Sequence, residues 1–247
     1  MAGHSHWSKI KRAKGANDAK RGKIWSKIAR KIIIAAKNGG DPRDNLNLRY
    51  TIDEAKAVNM PRDTIEKAIK KGTGNLEGQR FDTVRYEGYA PGGVALILDC
   101  LTDNLNRTAG EVRTLFDKVG GNLAKPGAVA FSFNSKGVIL IEGGKISEDK
   151  LMEIALEAGA EDVAESDGGW QVTTEPADFL KVKDALEAAA VEMASAEVAM
   201  VPQNTVECDA TAAAKVMKLV DTLEDHDDVQ KVWHNADIAD DVLAKLG

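Results

Sequence analysis

Cysteine is scarce in this chain: Cys100 and Cys208 are the only two among 247 residues. Two thiols complete neither a zinc cluster nor a disulfide scaffold, and both read as buried thiols of a reducing compartment. The four histidines, His4, His6, His226 and His234, have no spacing to cysteine that closes a zinc site. Aromatic residues make up 5% of the chain, so its cores must be mostly aliphatic and any exposed Trp or Tyr is worth asking about. Apolar runs stop at five residues, as in Ile32–Ala36 and Val94–Leu98, whereas a membrane helix needs ~20. The first thirty residues also lack the apolar stretch of about 7 to 15 residues that marks a secretory leader. Catalytic signatures are missing too: there is no G-x-S-x-G, no H-E-x-x-H, and no nucleophile with an identifiable base. An enzyme is not expected, nor is a cofactor. A free Ala2-Gly3-His4 start would offer square-planar ligands to Cu(II) or Ni(II), but nothing else asks for a metal and none is expected.

What the chain does have is sorted charge. The formal net charge of −6 hides 19 Lys and Arg against 8 Asp and Glu in residues 1–80, and 14 against 31 in residues 81–247. These sections carry +11 and −17. Screening acts over roughly 10 Å, so a partner at the amino terminus meets a cation whatever the total. Within residues 1–37 the count is 11 basic to one acidic, Asp18, a composition suited to phosphates.

The opening MAGHSHWSKIKRAKGA has no sustained periodicity and reads as an arm that is extended when alone. A helix is predicted from about Asp18 to Asn38, stopped by Gly39 and Gly40. Its Ile24, Trp25, Ile28, Ala29, Ile32, Ala35 and Ala36 fall in an arc of roughly 140°, and Lys20, Lys23, Lys27, Arg30, Lys31 and Lys37 in a separate one of roughly 120°. One face should pack and the other offer cations. Helices at about 45–59 and 62–71 complete a small bundle, with Pro61 in the first turn of the latter, and 72–79 reads as a linker.

From Phe81 the pattern turns to strands: 83–89 and 93–101 with a Pro-Gly-Gly turn between, a helix at 106–119, and a strand at 128–133. Strand 138–142, helix 147–158, strands 162–165 and 170–174, helix 176–189 and strand 196–201 then spell βαββαβ, the split ferredoxin-like arrangement. Helix 210–223, strand 229–234 and a short terminal helix are left over. The economical solution places 135–204 as an insertion in a domain made of 81–134 and 205–247, after a helical domain of 1–80. The fold class is α+β: a basic three-helix N-terminal bundle and two α/β domains of ferredoxin-like type, one inserted in the other.

Trp7 amid Lys9, Lys11, Arg12 and Lys14 could stack on an unpaired base, a mode typical of RNA, or dock on the protein itself. The helix pair joined by Val58-Asn59-Met60-Pro61 has helix-turn-helix proportions, with Arg62 and Thr64 placed to face bases, although plain bundles share them. Two glycine turns, Pro91-Gly92-Gly93 and Gly120-Gly121-Asn122, match no phosphate motif and read as chain reversals. Arg107, near a helix amino end, is a weaker contact candidate. The acidic run Glu224, Asp225, Asp227 and Asp228, with Asp221, reads as a solvated helix end, with Mg²⁺ binding as its alternative. The candidate nucleic-acid-binding residues are thus Trp7, Lys9, Lys11, Arg12, Lys14, Lys20, Arg21, Lys23, Lys27, Arg30, Lys31 and Arg107.

At DAKRGK (18–23), YEGYAPGG (86–93), CLTDNLNRT (100–108), GGNL (120–123), ALEAGAEDV (155–163), DDVQKVWHN (227–235) and the opening MAGHSHW, the sequence resembles the YebC family across essentially its whole length. It departs from the family's usual pattern at Ala90, Ala124 and Ala128. The resemblance implies three domains, one inserted in another, a cytoplasmic location, and nucleic-acid association without catalysis. It leaves two targets: promoter DNA, as in the label probable transcriptional regulator, or the ribosome during elongation, where proline runs are slow to form. The −17 section would repel a duplex lying alongside it, so the physics favours ribosomal RNA as target, with ribosomal proteins as partners of the acidic domains. Neither a membrane nor a small-molecule substrate is expected, and a monomer is favoured over an obligate dimer.

Overall fold

The computed structural model describes residues 18–74, 81–166, 168–239 and 242, with side chains from residue 22 onward. The arm and most of the 72–79 linker lie outside these residues. Three helices come first: α1 (Asp18–Ala36), α2 (Leu46–Ala57) and α3 (Arg62–Thr73). Most of the apolar arc of α1 packs as its periodicity predicts, with Ile28, Ile32 and Ala36, joined by Ile33 from outside the arc, buried against Leu48, Ala55, Ile65 and Ala68, while Ile24 at its start is exposed. The Trp25 indole N–H donates to the Val58 carbonyl at 3.1 Å. Buried Asn45 ties two elements together: its Oδ1 caps α2 at the Leu48 amide, and its Nδ2 donates to the Ala35 and Gly39 carbonyls, both at 2.7 Å. Helices α1 and α3 cross at Gly72, where a Cβ would sit 2.3 Å from the Ile33 carbonyl oxygen, so a larger residue would push them apart.

The other described residues include two antiparallel sheets of four strands, with a short parallel pair beside them. The first sheet uses β1 (Asp82–Ala90), β2 (Val94–Thr102) and β3 (Asn122–Leu123), with helix α4 (Leu105–Val119) between β2 and β3. The second uses β4 (Phe133–Glu142), β5 (Asp162–Ser166), β6 (Gly169–Thr174) and β7 (Ser195–Pro202), with α5 (Glu148–Ala158) and α6 (Phe179–Ala188) on its connections. The chain then returns through β8 (Val206–Glu207), α7 (Ala210–Glu224), β9 (Val229–His234) and β10 (Ala236–Asp237). Strand order is β3-β1-β2-β9 in the first sheet and β5-β6-β4-β7 in the second, while β10 pairs with β8. The second order is that of a split βαβ unit, with each helix crossing over one intervening strand. Because β9 pairs with β2 across the whole second sheet in sequence, with Leu96 opposite His234, the first sheet is assembled from both sides of it.

Alternation along the strands builds the layers. Leu96, Leu98 and Cys100 of β2 face α4 and α7, whereas Ala95 and Ile97 face the other way, with Trp233, onto Val138 and Leu140 of β4 and Met200 of β7. Ile139 and Ile141 of β4 turn to α5 and α6. The sequence is helices, sheet, sheet, helices, with an apolar layer at each junction, and β2 and β4 are buried on both faces. Burial lifts the Cys100 thiol to about 12, which makes it inert at neutral pH.

One expected strand is absent. Residues 128–132 form a turn and a 3-10 segment, Ala130–Ser132, and the ladder begins only at Phe133 opposite Pro202. The buried Glu87 carboxylate takes the amides of Gly127, Val129 and Ala130 at 2.7, 2.7 and 2.9 Å, so these cannot serve a neighbouring strand. Residues 176–178 likewise precede α6 rather than start it, with the Asp178 amide donating to the Glu175 carbonyl. Both glycine turns reverse the chain: Pro91–Gly93 joins β1 to β2, and Gly120 caps α4.

Candidate nucleic-acid interface

The cationic face of α1 meets the acidic run. Lys23 Nζ lies 3.5 Å from the Asp225 carbonyl oxygen, and Lys27 Nζ donates to the Glu224 carbonyl. Arg30 donates to the Asp227 carbonyl and to Asp228 Oδ1, both at 3.3 Å. These acceptors stand at and just beyond the end of α7, where unpaired carbonyls and the helix dipole concentrate negative potential. Sequence patterning gave the helix face to a partner and the acidic run to solvent; in the fold they face each other. Burial pushes the Lys27 ammonium below its ordinary pKa, against the opposing pull of Glu224, Asp227 and Asp225.

Asp228 is the hub of this contact and is only 4% exposed. Besides Arg30 it holds Arg107, whose Nη2 lies 2.6 Å from Oδ2, and the Thr108 hydroxyl at 2.8 Å. Its own amide donates to His226 Nδ1. Burial alone would raise the Asp228 pKa, but the hydrogen bonds from Arg107 and Thr108 and the charge of Arg107 outweigh it and hold the carboxyl below its ordinary value. Arg107 also pairs with Asp103 at 3.0 Å and reaches Glu111 at 3.8 Å. It therefore secures the α4 end to the 224–228 segment. The residue that organises this junction was missed because an acidic run without its partners looks solvated. Its one legible signal was the nearly pure basic arc of α1 that needed an opposite charge.

Lys31 points elsewhere, to Glu54 of α2 at 2.9 Å. Glu54 also faces Lys231 of β9 at 3.7 Å, and Lys231 pairs with Glu197 of β7. Burial opposes the charge of Lys231, but Glu197 and Glu54 overcome it and keep its pKa above the ordinary value. This cluster joins the helical region to both sheets. Arg49 with Asp184 at 3.1 Å, Lys183 with Asp53 at 3.3 Å, and Tyr50 stacked on Phe179 at 6.0 Å extend the same contact to α6. Arg62 is turned along its own helix to Glu66 at 2.9 Å, and Thr64 is half-buried.

Of the other candidates, Trp7, Lys9, Lys11, Arg12 and Lys14 lie outside the described residues, and Lys20 and Arg21 sit in the first turn of α1 with side chains outside them. Between α1, α3 and α4 opens a cleft of 1250 Å³ whose walls include Lys23, Lys71, Arg107 and Lys118 but also Asp225 and Asp227, so its charge is mixed. Glu111, His226 and Asp228 bring ligand atoms within 4.8 Å of one another. They fit a metal poorly: His226 spends Nε2 on Glu111 at 3.0 Å and Nδ1 on the Asp228 amide, and Asp228 is committed to two arginines. No helix among the described residues is long and apolar enough to cross a membrane.

Comparison with known proteins places this architecture. Residues 5–75 match the family model described as TACO1/YebC protein N-terminal domain, and residues 81–236 the one described as TACO1/YebC second and third domain. A probable transcriptional regulatory protein of Idiomarina loihiensis is 53% identical, covering 100% of this chain and 99% of the relative. One from Geobacter sulfurreducens is 50% identical over 100% of both chains. The crystal structure of a conserved hypothetical protein from Aquifex aeolicus superposes with a TM-score of 0.81 at 46% identity, covering 90% of this chain and 93% of that one. The chain belongs to the TACO1/YebC family of probable transcriptional regulatory proteins.

Proposed function

We propose that the protein is a non-enzymatic nucleic-acid-binding regulator of gene expression that engages its target through the basic arm, and that this target is ribosomal RNA, bound during elongation. The observation that carries this reading is the placement of charge. Lys23, Lys27 and Arg30 are engaged by the 224–228 segment, so the acid-free set Lys9, Lys11, Arg12 and Lys14, with Trp7 among them, supplies the cations for phosphates. A body of net −17 repels a duplex laid along it, whereas an arm can enter a folded RNA while the body stays outside. Contact with six to ten phosphates would lower affinity by about 10³ to 10⁵ between 50 and 200 mM salt. A second reading, promoter DNA, is favoured by the printed names of the relatives, and a basic helical domain can hold a duplex while acidic domains point away.

The test is sedimentation of a DNase-treated lysate at low and moderate salt, comparing the full chain with Lys9, Lys11, Arg12 and Lys14 all replaced by Glu. Co-migration of the full chain alone with ribosomal particles supports the RNA reading. If the full chain stays at the top of the gradient and instead retards duplex DNA with a sequence preference, the promoter reading replaces it.

A further inference from the structure

The turn between the two sheets presents the most exposed large apolar side chain among the described residues. Phe131 is 74% exposed. Single exposed apolar groups are ordinary on protein surfaces, and the other exposed ones here are aliphatic, stand on helices or a strand, and reach at most 55%. Phe131 is aromatic, and its backbone is held from several sides. The Glu87 carboxylate grips the three amides before it, and the Tyr89 hydroxyl donates to the Ala128 carbonyl at 3.0 Å. The Ser132 hydroxyl donates to the Val129 carbonyl at 2.7 Å, and Gln203 Nε2 donates to the Phe131 carbonyl itself at 3.1 Å. Gly127 supplies the left-handed corner, at φ +85°, that starts the turn. On either side Val129 and Phe133 are anchored in the apolar layer between the sheets. The backbone that carries the ring has little freedom left to lose on binding.

The surroundings select the partner. The loop that carries the ring, residues 124–132, has Lys125 and no acid of its own; Lys136 is spent on Glu161 and Glu175, and the Glu87 carboxylate lies buried beneath the turn on its amides. Gln203, just past β7, brings an amide side chain to the turn, its Nε2 donating to the Phe131 carbonyl and to Asn134 Oδ1 at 3.2 Å. A protein-binding hot spot needs an apolar core around its anchor. A lone ring on a loop with one cation, no acid of its own and an amide side chain at its base matches what an unpaired base and its phosphate require.

We propose that Phe131 is a stacking platform for an unpaired base of a single-stranded nucleic acid, with Glu87 as the positioning residue that holds the turn. This rests on the nucleic-acid reading above and adds a second contact, on the body, to that of the arm. The experiment uses the full chain with a labelled single-stranded oligouridylate and a duplex as probes, at one moderate salt concentration. Phe131→Ala should melt like the parent and bind the duplex equally, but lose roughly 5- to 100-fold in affinity for the single strand. Phe131→Trp should restore that affinity and add a tryptophan emission that the bound strand quenches. The arm variant with four Glu serves as control. Loss of binding in the arm variant with Phe131→Ala unaffected overturns the stacking site and leaves the nucleic-acid reading standing. No binding by the parent chain overturns both. A contact abolished by Phe131→Ala that survives nuclease treatment of a lysate puts a protein against the ring and overturns the proposal as well.

Discussion

Glu87 and Asp228 are equally buried, each 4% exposed, and both carboxyls are held below their ordinary pKa against the cost of burial. They achieve this with different partners. Glu87 collects three neutral backbone amides from one turn, about forty residues away in sequence. Asp228 collects two arginines and a hydroxyl, and Arg30 is 198 residues away. Amides fixed by a turn give a rigid, salt-insensitive local shape. Guanidinium groups on half-exposed side chains give a junction between distant parts of the chain that answers to ionic conditions.

The comparison breaks most visibly at Glu87. Glu87→Ala leaves three backbone N–H groups without their acceptor, each lost partner costing about 1–3 kcal/mol where water cannot replace it. The expected total is roughly 3–5 kcal/mol after partial relaxation, read as a lower midpoint in urea. A loss under about 1 kcal/mol would mean that the turn keeps its shape without the carboxylate. Asp228→Ala should cost less, about 1–3 kcal/mol, chiefly from the lost bonds to Arg107 and Arg30, since the Thr108 hydroxyl keeps the Asn104 carbonyl and Thr102 as partners. It should also loosen α1 from the 224–228 segment, seen as faster amide exchange in α1.

Acid affects both carboxylates in the same direction. Because each folded pKa is depressed, each contributes stability that is fully present above its unfolded value, about 4, and is lost as pH falls through the folded value. Melting between pH 6 and pH 2.5 should therefore show a decline beginning near pH 4, shallower in Glu87→Gln and in Asp228→Asn. Salt separates the two. Raising it from 50 to 500 mM should speed exchange in α1 and leave the 127–130 amides unchanged, and equal responses would remove the distinction. The smallest effect belongs to Lys23→Ala, whose 3.5 Å contact is exposed; a change within about 0.5 kcal/mol is expected.

Elements with strong local patterns were legible without coordinates. Strand 229–234 matches β9 at both ends, α7 differs from its expected span by one residue, and the βαββαβ order emerged intact from alternating strands and amphipathic helices. The 128–133 strand was misread for a physical reason. Ala128, Val129, Ala130 and Phe131 have the composition of a buried strand, but their backbone is committed to a carboxylate on β1. The α1 face was misread in the same way: periodicity shows that its cations share a side, not what stands opposite. Among the candidate site residues, Arg107 was singled out near a helix amino end, and its partner Asp228 was read only as one of an acidic run.

The amino-acid sequence by itself determined the sorting of charge, the helices and strands, the absence of a long apolar span and the family, because each depends on composition or on spacing along a few turns of chain. Only the tertiary structure decided that the basic helix faces the acidic run, that Glu87 shapes a turn, and that Phe131 stands in water. Each of these depends on which groups long-range packing brings within hydrogen-bonding distance, and a hydrogen bond is lost beyond a few ångströms whatever the spacing along the chain.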